Sequence, residues 1–307
     1  MSLDVRELSK SFGGKIAVDQ ISFAIDEPGV FGLIGTNGAG KTTTIRMILG
    51  IMSSDHGTAE WNGKPIRRET LNFGYMPEER GLYMKNKVID QLVYFGMLRG
   101  MEKSAAKQNA LKLMKRLGIS EYSDMQAEKL SKGNQQKVQL AATLIHDPEL
   151  IFLDEPFSGL DPVNAEVLRE LILELVAEKK FIVLSSHQMT TVEEFCRDIL
   201  ILHHGKTILK GTLSVIKSGF GRTNLVIRPQ EKDRTAVEQI LEASGLTLIE
   251  KRAYEYEYGI RGEADAVAVL KAMIAQELYP LKYEVKEPSL QEIFVRSVEA
   301  SERGNVK

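Results

Sequence analysis

Several features that would place the chain in particular protein classes are scarce or missing. Its 307 residues include one cysteine, Cys196, so no disulfide can form within the chain and an intracellular location fits. No uncharged apolar run reaches about 18 residues, the length of a membrane-spanning helix, and residues 1–10 lack the hydrophobic stretch of a signal peptide. Neither charge is in excess, with 40 Lys and Arg against 42 Asp and Glu, which argues against a strongly basic nucleic-acid-binding surface. These absences predict a soluble, cytoplasmic protein.

The surroundings of the single cysteine predict a structural role for it. Val192 and Phe195 would share with Cys196 the apolar face of a predicted helix. A buried thiol is therefore favoured over a reactive one.

Length and hydrophobic patterning predict two domains. Apolar runs alternate with amphipathic stretches over residues 3–209, which is typical of an α/β domain with a largely parallel sheet. Short apolar runs at 30–34, 150–153 and 181–184 predict central strands buried on both faces. Between them, residues 87–147 have helical apolar spacing and many charges, which indicates an inserted helical subdomain.

A glycine-containing stretch, residues 218–221, suits a junction between the domains, so we assign residues 1–219 to the α/β domain and 220–307 to an accessory domain. The accessory domain has the order β-α-β-β-α-β followed by a helix, which resembles a small α+β ferredoxin-like domain. Tyr254, Tyr256 and Tyr258 alternate with glutamates, which favours a half-buried strand over an aromatic ligand cage. No catalytic or metal-ligand cluster is evident there.

A glycine-rich loop between a predicted strand and a predicted helix is suited to hold phosphates. Its glycines let successive backbone N–H groups turn around an anion, Lys41 adds a charge for the β- and γ-phosphates, and the Thr42 hydroxyl suits Mg²⁺. A purely structural glycine-rich turn is the alternative, and the flanking strand and helix disfavour it. The loop consists of Gly35, Thr36, Asn37, Gly38, Ala39, Gly40, Lys41, Thr42 and Thr43.

Two further strand ends carry polar groups that suit phosphate chemistry. Asp154 and Glu155 follow a buried strand, where Asp154 fits the Mg²⁺ sphere and Glu155 fits the base that activates water. A solvated turn closed by Pro156 is the alternative. His187 ends another buried strand and could contact the γ-phosphate, although a lone histidine in a sequence is more often structural.

A second potential anion site lies at a predicted helix start. A serine hydroxyl and free N–H groups at that position can bind phosphate, and a simple helix cap is a compatible alternative because it uses the same donors. The residues are Ser131, Lys132, Gly133 and Asn134.

Taken together and in this order along the chain, the motifs within residues 3–211 resemble those of the nucleotide-binding subunit of an ABC transporter. The loop at 35–43 is similar to the Walker A motif, 150–155 to Walker B and 130–134 to the signature. Ser158 and Asp161 match the D-loop, and His187 matches the switch histidine.

The resemblance implies an ATPase that binds ATP and Mg²⁺. Lys41, Glu155 and His187 would be catalytic, and Thr42, Asp154 and Glu78 would serve the metal. Phe12 would stack on the adenine ring, and Val18 is counted with the nucleotide-binding residues. It also implies a second nucleotide-binding subunit and an integral membrane permease that would hold the protein at the inner face of the cell membrane.

Two departures from the family pattern point to one bacterial branch. Lys132 and Asn134 replace glycine and glutamine in the signature, and Glu78 stands where the family usually has glutamine. A carboxylate is a stronger, charged metal ligand than an amide carbonyl, so we expect altered metal affinity with function kept. Together with residues 289–294, these variants resemble the ATP-binding subunits of ABC-2-type exporters, some credited with sodium or drug extrusion.

Two other functions stay open at this point. One is an ABC ATPase that acts on ribosomes or DNA without a permease, but such chains usually carry two cassettes or long coiled-coil insertions. The other is a regulatory subunit that binds ATP without turnover, and the presence of Glu155 and His187 speaks against it.

Overall fold

A computed structural model describes residues 1–66, 71–79 and 81–304, and the chain divides into two compact units, Met1–Gly211 and Thr212–Lys307. The strands of the first unit are β1 (Leu3–Phe12), β2 (Lys15–Ile25), β3 (Gly29–Gly35), β4 (His56–Trp61), β5 (Lys64–Pro65), β6 (Phe73–Met76), β7 (Leu150–Asp154), β8 (Phe181–Ser186), β9 (Cys196–His203) and β10 (Lys206–Thr212, ending at the boundary). Its helices are α1 (Lys41–Ile48), α2 (Val88–Leu98), α3 (Lys103–Arg116), α4 (Lys132–Leu144), α5 (Pro162–Ala177) and α6 (Met189–Phe195).

A six-stranded sheet of order β10-β9-β3-β8-β7-β6 organises the first unit. The pairs β3–β9, β3–β8, β8–β7 and β7–β6 are parallel. Almost every residue of β3, β7 and β8 is buried, because both faces of these central strands are covered. Parallel pairing brings their carboxyl ends to one edge, where Gly35, Asp154 and Ser186 lie.

A second, antiparallel sheet of order β2-β1-β4-β5 packs with one face of the first. Leu3, Val5 and Ile21 from this sheet share a core with Phe31 and Phe152 of the parallel sheet. The helices α2, α3 and α4 lie between β6 and β7 in the chain, in the region where helices are predicted. Gly118 follows α3 with φ +64°, a left-handed conformation that ends a helix at little cost for glycine.

The second unit contains α7 (Leu213–Phe220), β11 (Asn224–Arg228), α8 (Arg234–Ala243), β12 (Thr247–Lys251), β13 (Tyr256–Gly259), α9 (Glu263–Ala275), β14 (Lys282–Lys286) and α10 (Leu290–Gly304). Its strand order is β12-β13-β11-β14, with the described pairs antiparallel. This order and the βαββαβ sequence of elements make the unit ferredoxin-like, and the predicted fold class is confirmed. Because α7 belongs to this unit, the division at 211/212 falls before the predicted junction at 219/220.

The tyrosine repeat of the second unit is only partly in a strand. Tyr256 and Tyr258 are buried on the face covered by α8 and α9, whereas Tyr254 precedes β13 and is exposed. On the opposite face, Asn224 donates hydrogen bonds to Glu257 at 2.6 Å and to Glu292 of α10 at 2.8 Å. This buried polar cluster fixes the start of α10 on the sheet.

The interpretation of Cys196 as a helical residue is wrong, although its burial is confirmed. Helix α6 ends at Phe195, and Cys196 begins β9 because the apolar run that follows it continues the parallel sheet. Its thiol packs against Gly32, and burial raises the pKa of the thiol far above its ordinary value. The thiolate is therefore suppressed.

One half-buried histidine, His146, gives the first unit a pH-dependent stability. Burial lowers the pKa of His146 from 6.5 to about 4, outweighing the bond between its Nε2 and the Phe73 carbonyl (2.9 Å). As the pH falls from 6.5 towards 4, the unfolded chain therefore takes up a proton that the folded chain does not, and stability is lost.

We expect His146→Gln, which cannot be protonated, to remove this loss. Between pH 7 and pH 5 the wild type should lose about 2 kcal/mol more unfolding free energy than the variant. Urea denaturation at the two pH values measures the difference, with the exposed His56→Gln as control. An equal loss in wild type and His146→Gln would contradict the assignment.

Candidate functional site

The loop between β3 and α1 has the backbone conformation of an anion cradle. Gly38 and Gly40 have φ +79° and +106°, which L side chains rarely adopt. A Cβ on Gly40 would also stand 2.7 Å from the Ala17 carbonyl oxygen, so the loop can pass β2 only with glycine there. The first turn of α1 follows directly, and its free N–H groups favour negative charge.

An open cavity of about 380 Å³ lies over this loop. It joins loop residues to carboxylates from two other segments of the chain. Its walls are Ala17, Asn37, Gly38, Ala39, Gly40, Lys41, Thr42, Thr43, Glu78 and Glu155. The fold thus brings the predicted Walker A residues together with Glu78 and Glu155, which are distant in sequence.

Lys41 is held beneath the cavity by three oxygens. Its Nζ donates to the Gly35 carbonyl at 2.7 Å and to the Thr36 carbonyl at 3.3 Å, and it lies 3.0 Å from Oε1 of Glu155. Both members of this ion pair are about 95% buried, with 6% and 5% of their side chains exposed. A buried pair of this kind is sensitive to the loss of either partner, because the other charge is then left in a poorly solvated place.

Glu155 adopts a backbone conformation that is unusual for a residue with a side chain. Its φ is +52°, a region that costs about 1–3 kcal/mol and occurs mostly where the surroundings enforce it. Its N–H is shared between Oγ and the carbonyl of Ser185, at 3.1 and 3.2 Å. The turn directs the carboxylate between Lys41 on one side and His187 on the other, where Nδ1 of His187 donates to Oε2 at 2.8 Å.

Asp154 is fully buried beside this turn, and its two carboxylate oxygens differ in their contacts. The Ser185 hydroxyl donates to its Oδ1. Among the described residues, Oδ2 has no hydrogen-bond partner. A buried carboxylate oxygen without a partner is costly, so it is suited to a ligand that supplies donors.

Ser185 is a site residue that sequence reasoning missed. One hydroxyl both positions Asp154 and accepts from the Glu155 backbone, so it joins β8 to the end of β7. The available signal was a hydroxyl residue two positions before His187, at the end of a buried strand.

The signature residues lie apart from the cavity. Ser131 caps α4 by accepting from the Asn134 N–H at 3.3 Å, and Ser131 and Lys132 are exposed. Gly133 is tightly packed, because a Cβ there would stand 2.4 Å from Nδ2 of Asn164. Asn164 is itself held by Asp161, whose carboxylate accepts from both its N–H (2.9 Å) and its side chain (2.5 Å). Asp161, predicted to belong to a D-loop, therefore supports the start of α4 through Asn164, while Ser158 and Asp161 are both exposed and do not line the cavity.

The two residues predicted near the base differ in accessibility. Phe12 ends β1 with 47% of its surface exposed, so its ring is accessible to a base, although the Lys10 ammonium lies 5.8 Å from the ring centroid. Val18 is fully buried in the core and has no surface to offer a ligand. The alternation of β2 turns Val18 inwards, and its neighbour Ala17 lines the cavity instead.

Fold and site together define a class. A phosphate loop opening a helix, with a lysine, two carboxylates and a histidine at the carboxyl edge of a parallel sheet, is the arrangement of a P-loop nucleotide-hydrolysing protein. Two family models divide the chain further: one described as ABC transporter matches residues 18–158, and one described as ATP-binding protein DrrA1-3-like, C-terminal domain, matches residues 211–298.

Proteins with similar sequences or structures support the same family assignment. The uncharacterized ABC transporter ATP-binding protein YhaQ of Bacillus subtilis (strain 168) is 42% identical over 97% of this chain and 99% of its own. The linearmycin resistance ATP-binding protein LnrL of the same organism is 29% identical over 95% and 97%. A solved structure, described as the ATP binding subunit of ABC transporter, has 32% identity and a TM-score of 0.66, covering 72% of this chain and 94% of that one. The chain belongs to the ATP-binding proteins of ABC transporters, and it is an ATPase coupled to transport.

Proposed function

We propose that the chain acts as one of two nucleotide-binding subunits that close on two ATP molecules and drive a separate membrane permease that exports its substrate. The observation that carries the ATPase part is the pairing of Lys41 with Glu155 at the phosphate-loop cavity, with His187 bonded to the same carboxylate. The ATP phosphates would draw Lys41 from its contact with Glu155. The carboxylate would then accept a proton from the attacking water, with His187 fixing its orientation.

The position of the signature supports a paired arrangement. Ser131 and Lys132 are exposed at the start of α4 and contribute nothing to the cavity of their own chain. A helix start that offers N–H groups and a lysine is suited to a terminal phosphate, so a second subunit would supply the nucleotide that meets it. ATP would favour the closed pair because these contacts exist only there.

The donor set around the cavity fits Mg²⁺, which prefers oxygen ligands and usually retains water. Thr42 lines the cavity, so its hydroxyl would serve as a ligand, and Oδ2 of Asp154, which has no hydrogen-bond partner in the part of the chain that the structure describes, suits a metal-bound water. Glu78 brings a further carboxylate to the same cavity. Among the described residues no group of three His, Cys, Asp or Glu side chains could hold a metal. The ion would neutralise charge that develops on the phosphoryl oxygens.

An apolar groove on the helical subdomain supports a membrane partner. A cavity of about 270 Å³ opens between β6 and the helices, and Leu82, Phe95 and Leu98 form much of its wall. The surface around it exposes Tyr83, Met84, Tyr94, Met97 and Leu98. Exposed apolar groups clustered in this way mark interaction surfaces. No described helix of the chain is long and apolar enough to cross a bilayer. In the proposed arrangement the permease is a separate polypeptide and would hold this protein at the inner face of the cell membrane.

The name of one similar protein supports export as the direction of transport. LnrL is named for resistance to linearmycin, and an ATP-driven pump can confer resistance by removing a toxic compound. A drug-like compound or sodium would be the cargo of the proposed exporter.

The groove can be tested with a matched pair of variants. Leu98→Asp should reduce co-purification with the proposed membrane permease by about tenfold or more, because it places a charge in an apolar contact. Leu111→Asp is the control, since Leu111 lies on α3, is exposed to nearly the same extent (47% against 49%) and does not line the groove.

ATP binding by both variants checks that they fold. Equal recovery of the membrane protein with Leu98→Asp and Leu111→Asp would contradict the proposal that the groove binds the permease. Recovery of ribosomal proteins or DNA in place of a membrane protein would contradict the transporter function.

A further inference from the structure

A buried glutamine on α4 holds the segment that carries Glu78. The side chain of Gln139 is almost inaccessible, with 5% exposed. Its Nε2 donates to the carbonyl of Pro77 at 2.7 Å and to the carbonyl of Glu79 at 3.2 Å. These carbonyls lie on either side of Glu78, so one amide group fixes the backbone both before and after that residue.

The chemistry of these neighbours determines what can stand at position 139. Both partners are carbonyl oxygens and can only accept, so the side-chain amide must face them with its nitrogen. An apolar residue of the same length would leave both carbonyls without this donor in a poorly solvated place. Thr143, one turn further along α4, has its hydroxyl 2.9 Å from the backbone carbonyl of Gln139 and 3.4 Å from that of Tyr75, and no hydrogen bond among the described residues joins its side chain to residues 77–79.

The carboxylate held in this way belongs to the nucleotide cavity. Glu78 lines that cavity with Lys41, Thr42 and Glu155. Its own side chain is exposed, and no ion pair of Glu78 occurs among the described residues. Among the described residues, the bonds from Gln139 to the flanking carbonyls are therefore the contacts that hold the backbone from which the Glu78 carboxylate projects.

We propose that Gln139 is a positioning residue that holds Glu78 for the divalent cation bound with ATP. The inference rests on the proposed function, in which Glu78 serves Mg²⁺. It assigns Gln139 a role outside every motif that the sequence offers, because a glutamine within an amphipathic helix gives no local sign of its partners. Loss of its two donors would let the Glu78 segment drift and would weaken the metal without removing a ligand.

Mn²⁺ affinity measured by electron paramagnetic resonance tests this without turnover. In the full chain carrying Glu155→Gln and saturated with ATP, Gln139→Met should weaken Mn²⁺ binding by about fivefold or more, similar to Glu78→Gln. Adding Gln139→Met to Glu78→Gln should weaken it little further, because both changes remove the same contribution. The control Thr143→Val should bind Mn²⁺ as the parent does.

The possible outcomes distinguish a failure of the inference about Gln139 from a failure of the proposed function on which it rests. Absence of Mn²⁺ binding in the ATP-loaded parent would remove the proposed metal site itself. Parent-like binding by a folded Gln139→Met protein, or additive losses in the double variant, would overturn only the role of Gln139. Gln139→Leu serves as a second replacement, and failure of both variants to fold, judged by circular dichroism, would make Gln139 purely structural and would also overturn it.

Discussion

Replacing Glu155 by glutamine is expected to lower ATP hydrolysis by about a hundredfold or more while leaving ATP bound. Positioned general bases contribute about 10²–10⁴-fold to rate, and an amide cannot take the proton from water. Glutamine has the same shape, so its carbonyl can still accept from His187 at the place where Oε2 does now, 2.8 Å from Nδ1. The loss should therefore appear in turnover, with nucleotide affinity preserved.

Phosphate release and titration with a fluorescent ATP analogue measure the two quantities separately. The control is Glu149→Gln, an exposed carboxylate immediately before β7, whose loss should leave both unchanged. On size exclusion with ATP, Glu155→Gln should elute as a pair of subunits, because bound ATP is no longer consumed. Near-zero hydrolysis by the wild type with its permease present would instead identify a regulatory subunit.

The sequence predicts the parts of this site that depend on local pattern. A glycine-rich loop between strand and helix determines its own shape, and the central strands β3, β7 and β8 were recognisable as buried apolar runs. Since parallel strands share a carboxyl edge, the proximity of Lys41, Glu155 and His187 followed from their positions at strand ends. The ferredoxin-like succession of strands and helices along the second unit was likewise visible as alternating hydrophobic patterns in the sequence.

Contacts between segments distant in sequence could not be predicted in this way. The left-handed turn at Glu155 depends on Ser185 of a neighbouring strand, and no propensity of glutamate indicates it. The two bonds of Gln139 depend on how α4 docks against β6. Val18, which the resemblance counted with the nucleotide-binding residues, is instead a core residue, and Ala17 lines the cavity. The reason is related, because a shift of one position along a strand exchanges the core face for the ligand face.

Replacing Lys41 by methionine is expected to have the largest effect on the folded state itself. The change keeps an unbranched apolar side chain but removes the ammonium group and leaves Glu155, with 5% exposed, opposite an apolar group. Removing one member of a buried ion pair costs about 3–5 kcal/mol, and the contact of His187 with Oε2 offsets part of this. We therefore expect a loss of about 3 kcal/mol of unfolding free energy without nucleotide.

The cause can be isolated by repeating the change where the carboxylate is already absent. In a Glu155→Gln background no buried anion is left behind, so Lys41→Met should cost only about 1 kcal/mol, mainly the bond to the Gly35 carbonyl. Urea denaturation of the four proteins gives the coupling between the two residues. Equal costs in both backgrounds would show that the ion pair does not stabilise the fold.

The same variants separate the structural role of Lys41 from its role towards phosphate. ATP affinity should fall by about tenfold or more with Lys41→Met in either background, because the point charge for the terminal phosphates is lost whatever stands at position 155. Folding and binding should thus respond differently to Glu155: the cost in stability depends on it, and the cost in affinity does not. If ATP affinity instead recovered in the double variant, Lys41 would act on nucleotide only through its ion pair, and the phosphate contact assigned to it would be wrong.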